Sequence, residues 1–340
     1  MGQAQGLETA FTRSYGLRHP FACAGLAFAG TTPELAIAVA NAGGIGAIGM
    51  GKLPPPAGAA MIGAFRQASK GPLNVNFITI FTEDAHIAMC VEEEPDVVSF
   101  HWGHPKKAWI DQLQAAGIRV WEQVGSAEMA QTALGDGIDL LIVQGTEAGG
   151  HNYGTLPLFV QLPAIRDAVG TDVLLLAAGG IMDGRGVAAA LALGADGVWV
   201  GTRLIASQEA NIAQAYKDKL VDAVGEDTVR SSLFGGDTPD FNPMRVLKTR
   251  IVKEWDGKPD APSSPEGQPI VGEMDVLGMT MPIQKFSNLL PMGGATGDVE
   301  EMPLLAGQGV GQVKDLPPAG HIVEAMMAQA DALLARMGRA

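Results

Sequence analysis

The chain has 340 residues, with 23 Lys and Arg against 37 Asp and Glu, a formal charge of −14 at pH 7. That acidity speaks against nucleic acid or an anionic membrane as partner, and 47% hydrophobic with 18% charged residues describes a globular chain, one large domain or one domain with an appendage, and excludes disorder throughout. No apolar run reaches the roughly 18 uninterrupted residues of a spanning helix, the opening MGQAQGLETAF lacks the pattern of a secretory signal, and the two cysteines suit a reducing cytoplasm, with Cys23 expected as a free buried thiol.

From Pro20 onward, short apolar runs alternate with longer amphipathic segments at the spacing of a strand-helix unit. The runs are 21–24, 45–48, 73–78, 96–100, 118–121, 140–143, 173–177 and 197–200; helical patterns rich in Ala and Leu follow them, among them 33–42, 105–116, 126–134, 162–169 and 186–193. Eight such units predict an α/β chain closed into a (β/α)₈ TIM barrel. The rival, an open doubly wound sheet, would place its phosphate loop after the first strand. Here the richest glycine loops follow the sixth, seventh and eighth runs. After Gln208 the pattern changes: Gly235, Gly236, Pro239, Pro243 and KPDAPSSPEGQ at 258–268 read as loops and an exposed excursion. The expected division is a barrel over 12–225, a cap over 226–316 whose Phe286 and Met292 are candidates for apolar lining of the pocket, and a C-terminal segment over 317–340 whose helix, 321–337, packs back through Ile322, Met326, Leu333 and Leu334.

Glycine is the compositional anomaly, 45 of 340 or about 13%, where roughly 7% is ordinary. In a barrel, residues just after each strand face the active site. The loop after the seventh run, AAGGIMDGRG, frees its backbone at Gly179 and Gly180 and can cap the next helix with Asp183. After the eighth comes Gly201 and Thr202. Both loops lie where this fold binds phosphate, and both can aim backbone N–H groups at an anion; tight turns with no ligand are the plain alternative.

The loop after the sixth run, QGTEAGGHNYG, puts Gly149 and Gly150 beneath a flat ligand and projects His151 from the rim as a candidate base. A surface-loop histidine is the alternative. Tyr153 lines the same pocket or merely packs, and Asn76, ending the third run, is a ligand contact or a buried structural amide. His101 and Trp102 after the fourth run are candidate substrate contacts, and Gln123 after the fifth can donate to a ligand carbonyl. The remaining histidines His19, His86 and His321 are scattered, so no metal is expected. The run from Glu92 to Glu94 reads as a solvated helix end.

Taken together, LRHPF at the first strand, NVNF, EAGGH, AAGGIMDGRG with the following ALALGADGVWVGTR, and AGQG at 306–309 resemble the nitronate monooxygenases, flavin mononucleotide (FMN) enzymes with a TIM barrel. The resemblance runs from about residue 12 to 206 and resumes near 305. It implies FMN phosphate on Gly180 and on Gly201 and Thr202, with Gly179 in the same loop. Ring contacts are implied from Asn76, Gln123, Gly149, Gly150 and Gln308, with His151 beside the flavin as base. Where the family commonly has Gln-Gly-Gly-Met or Gln-Ala-Pro-Met after the first strand, this chain has Cys23-Ala24-Gly25-Leu26, which leaves main-chain contacts at Ala24 and Gly25. Some relatives carry a lysine at the place of Gln123, where a positive charge would favour reduced anionic flavin. The implied activity is oxidation of alkyl nitronates by O₂ to a carbonyl compound and nitrite. Small-molecule substrate and O₂ are the implied partners, and a homodimer is left open. The alternatives are an NAD(P)H-dependent flavin reductase acting on quinones or enoyl thioesters, whose flavin-dependent enoyl reductase members share the EAGGH and GGI-DG loops, and a flavin-binding protein without turnover.

Overall fold

The apolar runs become strands because each is covered on both faces. In the computed structural model, which describes residues 7–338, side chains alternate between a barrel interior of Ala22, Val97, Trp121, Leu140, Ile142, Leu176 and Trp199 and an outer layer of Val75, Val98, Val120, Leu141, Val143, Leu175 and Val198 beneath the helices. The strands are β1 (Phe21–Cys23), β2 (Gly46–Gly49), β3 (Leu73–Ile78), β4 (Val97–His101), β5 (Arg119–Val124), β6 (Leu140–Gln144), then, beyond a two-residue strand β7 (Gly150–His151), β8 (Leu174–Ala178) and β9 (Gly197–Val200). All seven pairings between the eight barrel strands are parallel, in the order β1-β9-β8-β6-β5-β4-β3-β2. The ring closes at Ile45, whose N–H donates to Phe21 O and whose carbonyl accepts from Cys23 N, each at 2.9 Å. The expected barrel is therefore present, with Cys23 free and buried within it and its thiol pushed up to about 12 by burial.

Helix Ala10–Tyr15 plugs the N-terminal end of the barrel. Thr9 caps it by accepting from Thr12 N, Phe11 meets Trp121 edge-on at 5.7 Å, and Trp121 Nε1 donates to Tyr15 Oη at 2.7 Å. The helix predicted over 162–169 begins earlier, as Leu158–Val169. Its first turn exposes Phe159 (69%) and Val160 (52%), which breaks the one-sided apolar pattern there. The closing helix is Ala319–Met337; Ile322 and Met326 are buried as expected, whereas Leu333 and Leu334 are only partly covered. Gln329 accepts from Gly184 N at 2.7 Å, tying this helix to the one after β8. Arg339 and Ala340, which end the expected C-terminal segment, lie outside the described residues. Among those residues no helix is long and apolar enough to cross a membrane.

The segment read as loops and an excursion also holds five short strands. β10 (Thr228–Ser231) and β11 (Met244–Leu247) are antiparallel, and β11 continues antiparallel onto β7, with Met244 opposite His151 and Arg245 opposite Gly150. β12 (Ile270–Val276) and β13 (Met279–Gln284) form a hairpin, with β14 (Thr296–Gly297) on its edge. Its two turn residues, Leu277 and Gly278, both have positive φ (54° and 79°), the twist a two-residue hairpin requires. No metal-ligating cluster of three or more His, Cys, Asp or Glu occurs among the described residues.

Candidate active site

The C-terminal mouth of the barrel opens into a cavity of about 610 Å³, within the range of small-molecule sites. Most of the residues singled out from the sequence converge on its wall: Ala24, Gly25, Asn76, His101, Gln123, Gly149, Gly150, His151, Gly179, Gly180, Gly201 and Thr202.

The floor is backbone. Gly179 and Gly180 have φ of 113° and 70°, conformations that favour glycine. Among the described residues the N–H groups of Gly180, Gly201 and Thr202 find no acceptor, while Thr202 Oγ1 accepts from Gly307 N at 3.0 Å. Orphan amides grouped on two loops suit a phosphate. At Gly25 a β-carbon would lie 1.9 Å from Asn76 Oδ1, so only glycine lets this backbone approach the amide. Asn76 serves both readings: it lines the cavity, and its Nδ2 donates to Ser99 Oγ at 2.8 Å. On β5 the pleat separates neighbours. Gln123 faces the cavity, and Glu122, 2% exposed, points outward.

His151 is the most constrained side chain. Its backbone is held in β7, its carbonyl accepts from Gln144 Nε2 at 3.1 Å, and Gln144 Oε1 accepts from Tyr153 N at 3.3 Å. The imidazole stacks on Phe241 with centroids 3.4 Å apart, and Trp102 meets it edge-on at 5.6 Å. Its Nδ1 is buried with no hydrogen-bond partner among the described residues. Burial, then the proximity of His101, pushes the imidazole down to about 3, so it is neutral at working pH. His101 is likewise pushed down to about 4 by burial. Its Nδ1 lies 3.0 Å from Phe77 O, a pure acceptor that places the ring proton there and leaves Nε2 as the basic nitrogen.

Trp102, Tyr153 and Gln308 do not line the cavity. Trp102 adopts φ 60°, which turns its ring behind His151. There it stacks on Tyr153 with centroids 4.1 Å apart and donates from Nε1 to Asp240 O at 2.5 Å. Gln308 is exposed at the start of a short 3₁₀ turn, Gln308–Gln312, its N–H bonded to Glu147 O at 2.9 Å. His104 turns away from the cavity altogether, between Glu122 Oε2 (2.8 Å) and Asp136 Oδ2 (2.9 Å). Burial, opposed by His104, pushes the Glu122 carboxyl up to about 7.

The roof comes from the 226–316 segment: Phe241 and Met244 near His151, and Met274, Leu277, Met281 and Met292 from the hairpin side. Phe286, a candidate for apolar lining, packs instead against Trp255 at 5.8 Å. Of the roof and its supports, only Met292 was anticipated from the sequence. Gln144 ends the sixth strand and was legible by the same strand-end rule as Gln123; Phe241 and Arg245 carry no local signal. Among the described residues Lys52 and Asp275 are the only Asp, Glu, Lys or Arg on the wall, and Lys52 Nζ sits 4.4 Å over the Phe81 ring.

Comparison with known proteins sharpens this picture. A dehydrogenase of Mycobacterium tuberculosis that acts on (3aS,4S,5R,7aS)-5-hydroxy-7a-methyl-1-oxo-octahydro-1H-indene-4-carboxyl-CoA is 31% identical, over 95% of this chain and 96% of its own length. Among solved structures, FabK from Thermotoga maritima is similar with TM-score 0.81 and 31% identity, covering 97% of this chain and 98% of that one. A nitroalkane oxidase from Streptomyces ansochromogenes has TM-score 0.78 and 25% identity, covering 97% and 100%. The sequence profile of nitronate monooxygenase matches residues 74–329. With that match spanning most of the barrel, its mouth and the roof, the chain belongs to the nitronate monooxygenase family of oxidoreductases.

Proposed function

We propose that the cavity holds FMN and that the loaded protein oxidises alkyl nitronates with O₂ to a carbonyl compound and nitrite. The observation that carries this reading is the buried, unpartnered Nδ1 of a neutral imidazole on the cavity wall. The residues fit the cofactor: Gly180, Gly201 and Thr202 offer free amides to its phosphate, and the wall formed by Ala24, Gly25, Asn76, Gln123, Gly149 and Gly150 accepts a planar ring system. FMN, when bound, supplies the electron acceptor.

In this reading the chain's own contribution is to orient the substrate and move one proton. His151 accepts the α-proton of a neutral nitroalkane. The transfer creates a nitronate anion beside an imidazolium, and their attraction in a site shielded from water raises the proton affinity of a ring that is only weakly basic when the cavity is empty. His101 contacts the substrate from the same wall, and Trp102 and Tyr153 act through His151 rather than on the substrate. Membership of the family and likeness to a nitroalkane oxidase support the assignment.

A second reading, an NAD(P)H-dependent flavin enzyme acting on a thioester or quinone, draws on one feature. The cavity continues under the hairpin past Met274, Leu277 and Met281, room for a body larger than a small nitroalkane, and a CoA-thioester dehydrogenase aligns along nearly the whole chain. An anaerobic visible spectrum of the FMN-loaded protein separates the two. Spectral change on adding propyl nitronate, with none from NADH or NADPH, is the expected result; full bleaching by a nicotinamide alone, with no response to nitronate, overturns the first reading in favour of the second.

A further inference from the structure

We infer that Arg245, with Arg230 beside it, is a positioning residue for His151; the inference rests on His151 being the base proposed above. Arg245 lies on β11 and is 6% exposed. Its Nε (3.1 Å) and Nη2 (2.8 Å) both donate to the carbonyl of Thr146, and Nη1 reaches Thr228 Oγ1 at 3.4 Å. Arg230, its direct cross-strand partner on β10, donates from Nη2 to Asn152 O at 2.9 Å. The two guanidinium groups therefore grip the turn that carries Gly149, Gly150 and His151 at its two ends. Asn152 Nδ2 closes the same turn on Thr146 O (3.2 Å) and Ala148 O (3.1 Å).

This arrangement is expensive. Like charges directly opposite on paired strands repel, and a buried cation without a counter-ion carries a desolvation cost. Among the described residues neither guanidinium forms a salt bridge, the Glu147 carboxylate only partly offsetting the burial of Arg245 and the repulsion from Arg230, and Arg230 Nε has no hydrogen-bond partner. An apolar side chain would pack the same gap at lower cost. What arginine adds is a rigid fork that takes one carbonyl through two donors, a geometry lysine cannot copy. It is applied where a small misplacement matters, one residue pair away from the proposed base on the β7–β11 ladder.

Because His151 is needed only to deprotonate a neutral substrate, displacing it should separate two activities of one protein. For Arg245→Met and Arg245→Lys, each saturated with FMN and corrected for FMN content, kcat/KM for neutral nitroalkane is expected to fall about 10- to 100-fold, the scale of an ångström-sized misplacement, while kcat/KM for the preformed nitronate stays within about threefold. Equal loss on both substrates at full FMN content, or no loss on either, overturns the inference. Amide hydrogen exchange in FMN-loaded protein reads the same claim without turnover: His151 and Asn152 should exchange faster in Arg245→Met while the β3 to β6 amides do not. Unchanged exchange at those two residues overturns the positioning role even if the wild type oxidises neither substrate, an outcome that would by itself sink only the proposed reaction.

Discussion

The floor and the roof of the cavity are built by opposite means. The floor consists of strand ends and glycine loops, where backbone amides and small residues line the cavity, and every part of it comes from a short stretch next to its own strand. The roof consists of large side chains from the 226–316 segment: Phe241 from a 3₁₀ turn, Met244 from β11, which pairs with the distant β7, and Met274 and Met281 from the β12–β13 hairpin. His151 belongs to both: it sits on a floor loop, yet its ladder partner is Met244 of the roof. The difference teaches that the proposed cofactor site belongs to the barrel, whereas placing the proposed base requires the two regions to dock.

The largest effect that can test this division is on the base itself. His151→Asn should depress neutral nitroalkane turnover by about 10² to 10⁴, the usual contribution of a general base, and leave nitronate turnover within a few fold; steady-state kinetics on both substrates showing equal loss would remove the base assignment. A change deep in the barrel should behave differently. Trp121, fully buried against Phe11, Tyr15 and Trp199, should cost about 3–5 kcal/mol when cut to alanine. Denaturant melts would show that loss, while the folded fraction keeps its ratio of neutral-substrate to nitronate activity. A shift in that ratio would mean that the barrel end and the site are not independent.

The smallest effect is a pH slope. Unfolded histidines take up protons around pH 6.5, but His101 and His151 stay neutral in the folded protein until about 4 and about 3. Their depressed values mean that the stability they contribute is fully present above pH 6.5 and drains away as pH falls toward those values, because the unfolded chain binds the extra protons. The melting temperature of the cofactor-free protein should therefore drop between pH 7 and pH 5, and less steeply in His151→Asn. An identical slope in the variant would show that His151 is more basic, and better solvated, than the geometry indicates.

The barrel was legible in the sequence because its rule is local. A strand covered on both faces must be an apolar run, a surface helix must repeat its apolar residues on one side, and the residue after each strand must face the mouth; Asn76, Gln123, His151 and the loops at Gly179 and Gly201 all follow from counting along the chain. The same counting failed where pairing decides. Trp102 directly follows the cavity-lining His101 and Tyr153 stands two residues after His151, yet a left-handed turn at Trp102 and stacking of the two rings carry them behind His151. Gln308 sits in a matching motif but is held by its backbone with its side chain outside.

What the sequence by itself determined is the eightfold strand-helix repeat, the glycine loops suited to an anion and the presence of a histidine at the rim, because each depends on residues within a few positions of one another. The tertiary structure alone decided that Phe241 and Trp102 enclose that histidine, that Arg245 and Arg230 grip its turn, and that burial keeps its ring neutral. Those contacts join segments about 50 to 100 residues apart in the chain, and no periodicity or motif records which distant side chain will arrive to complete a site.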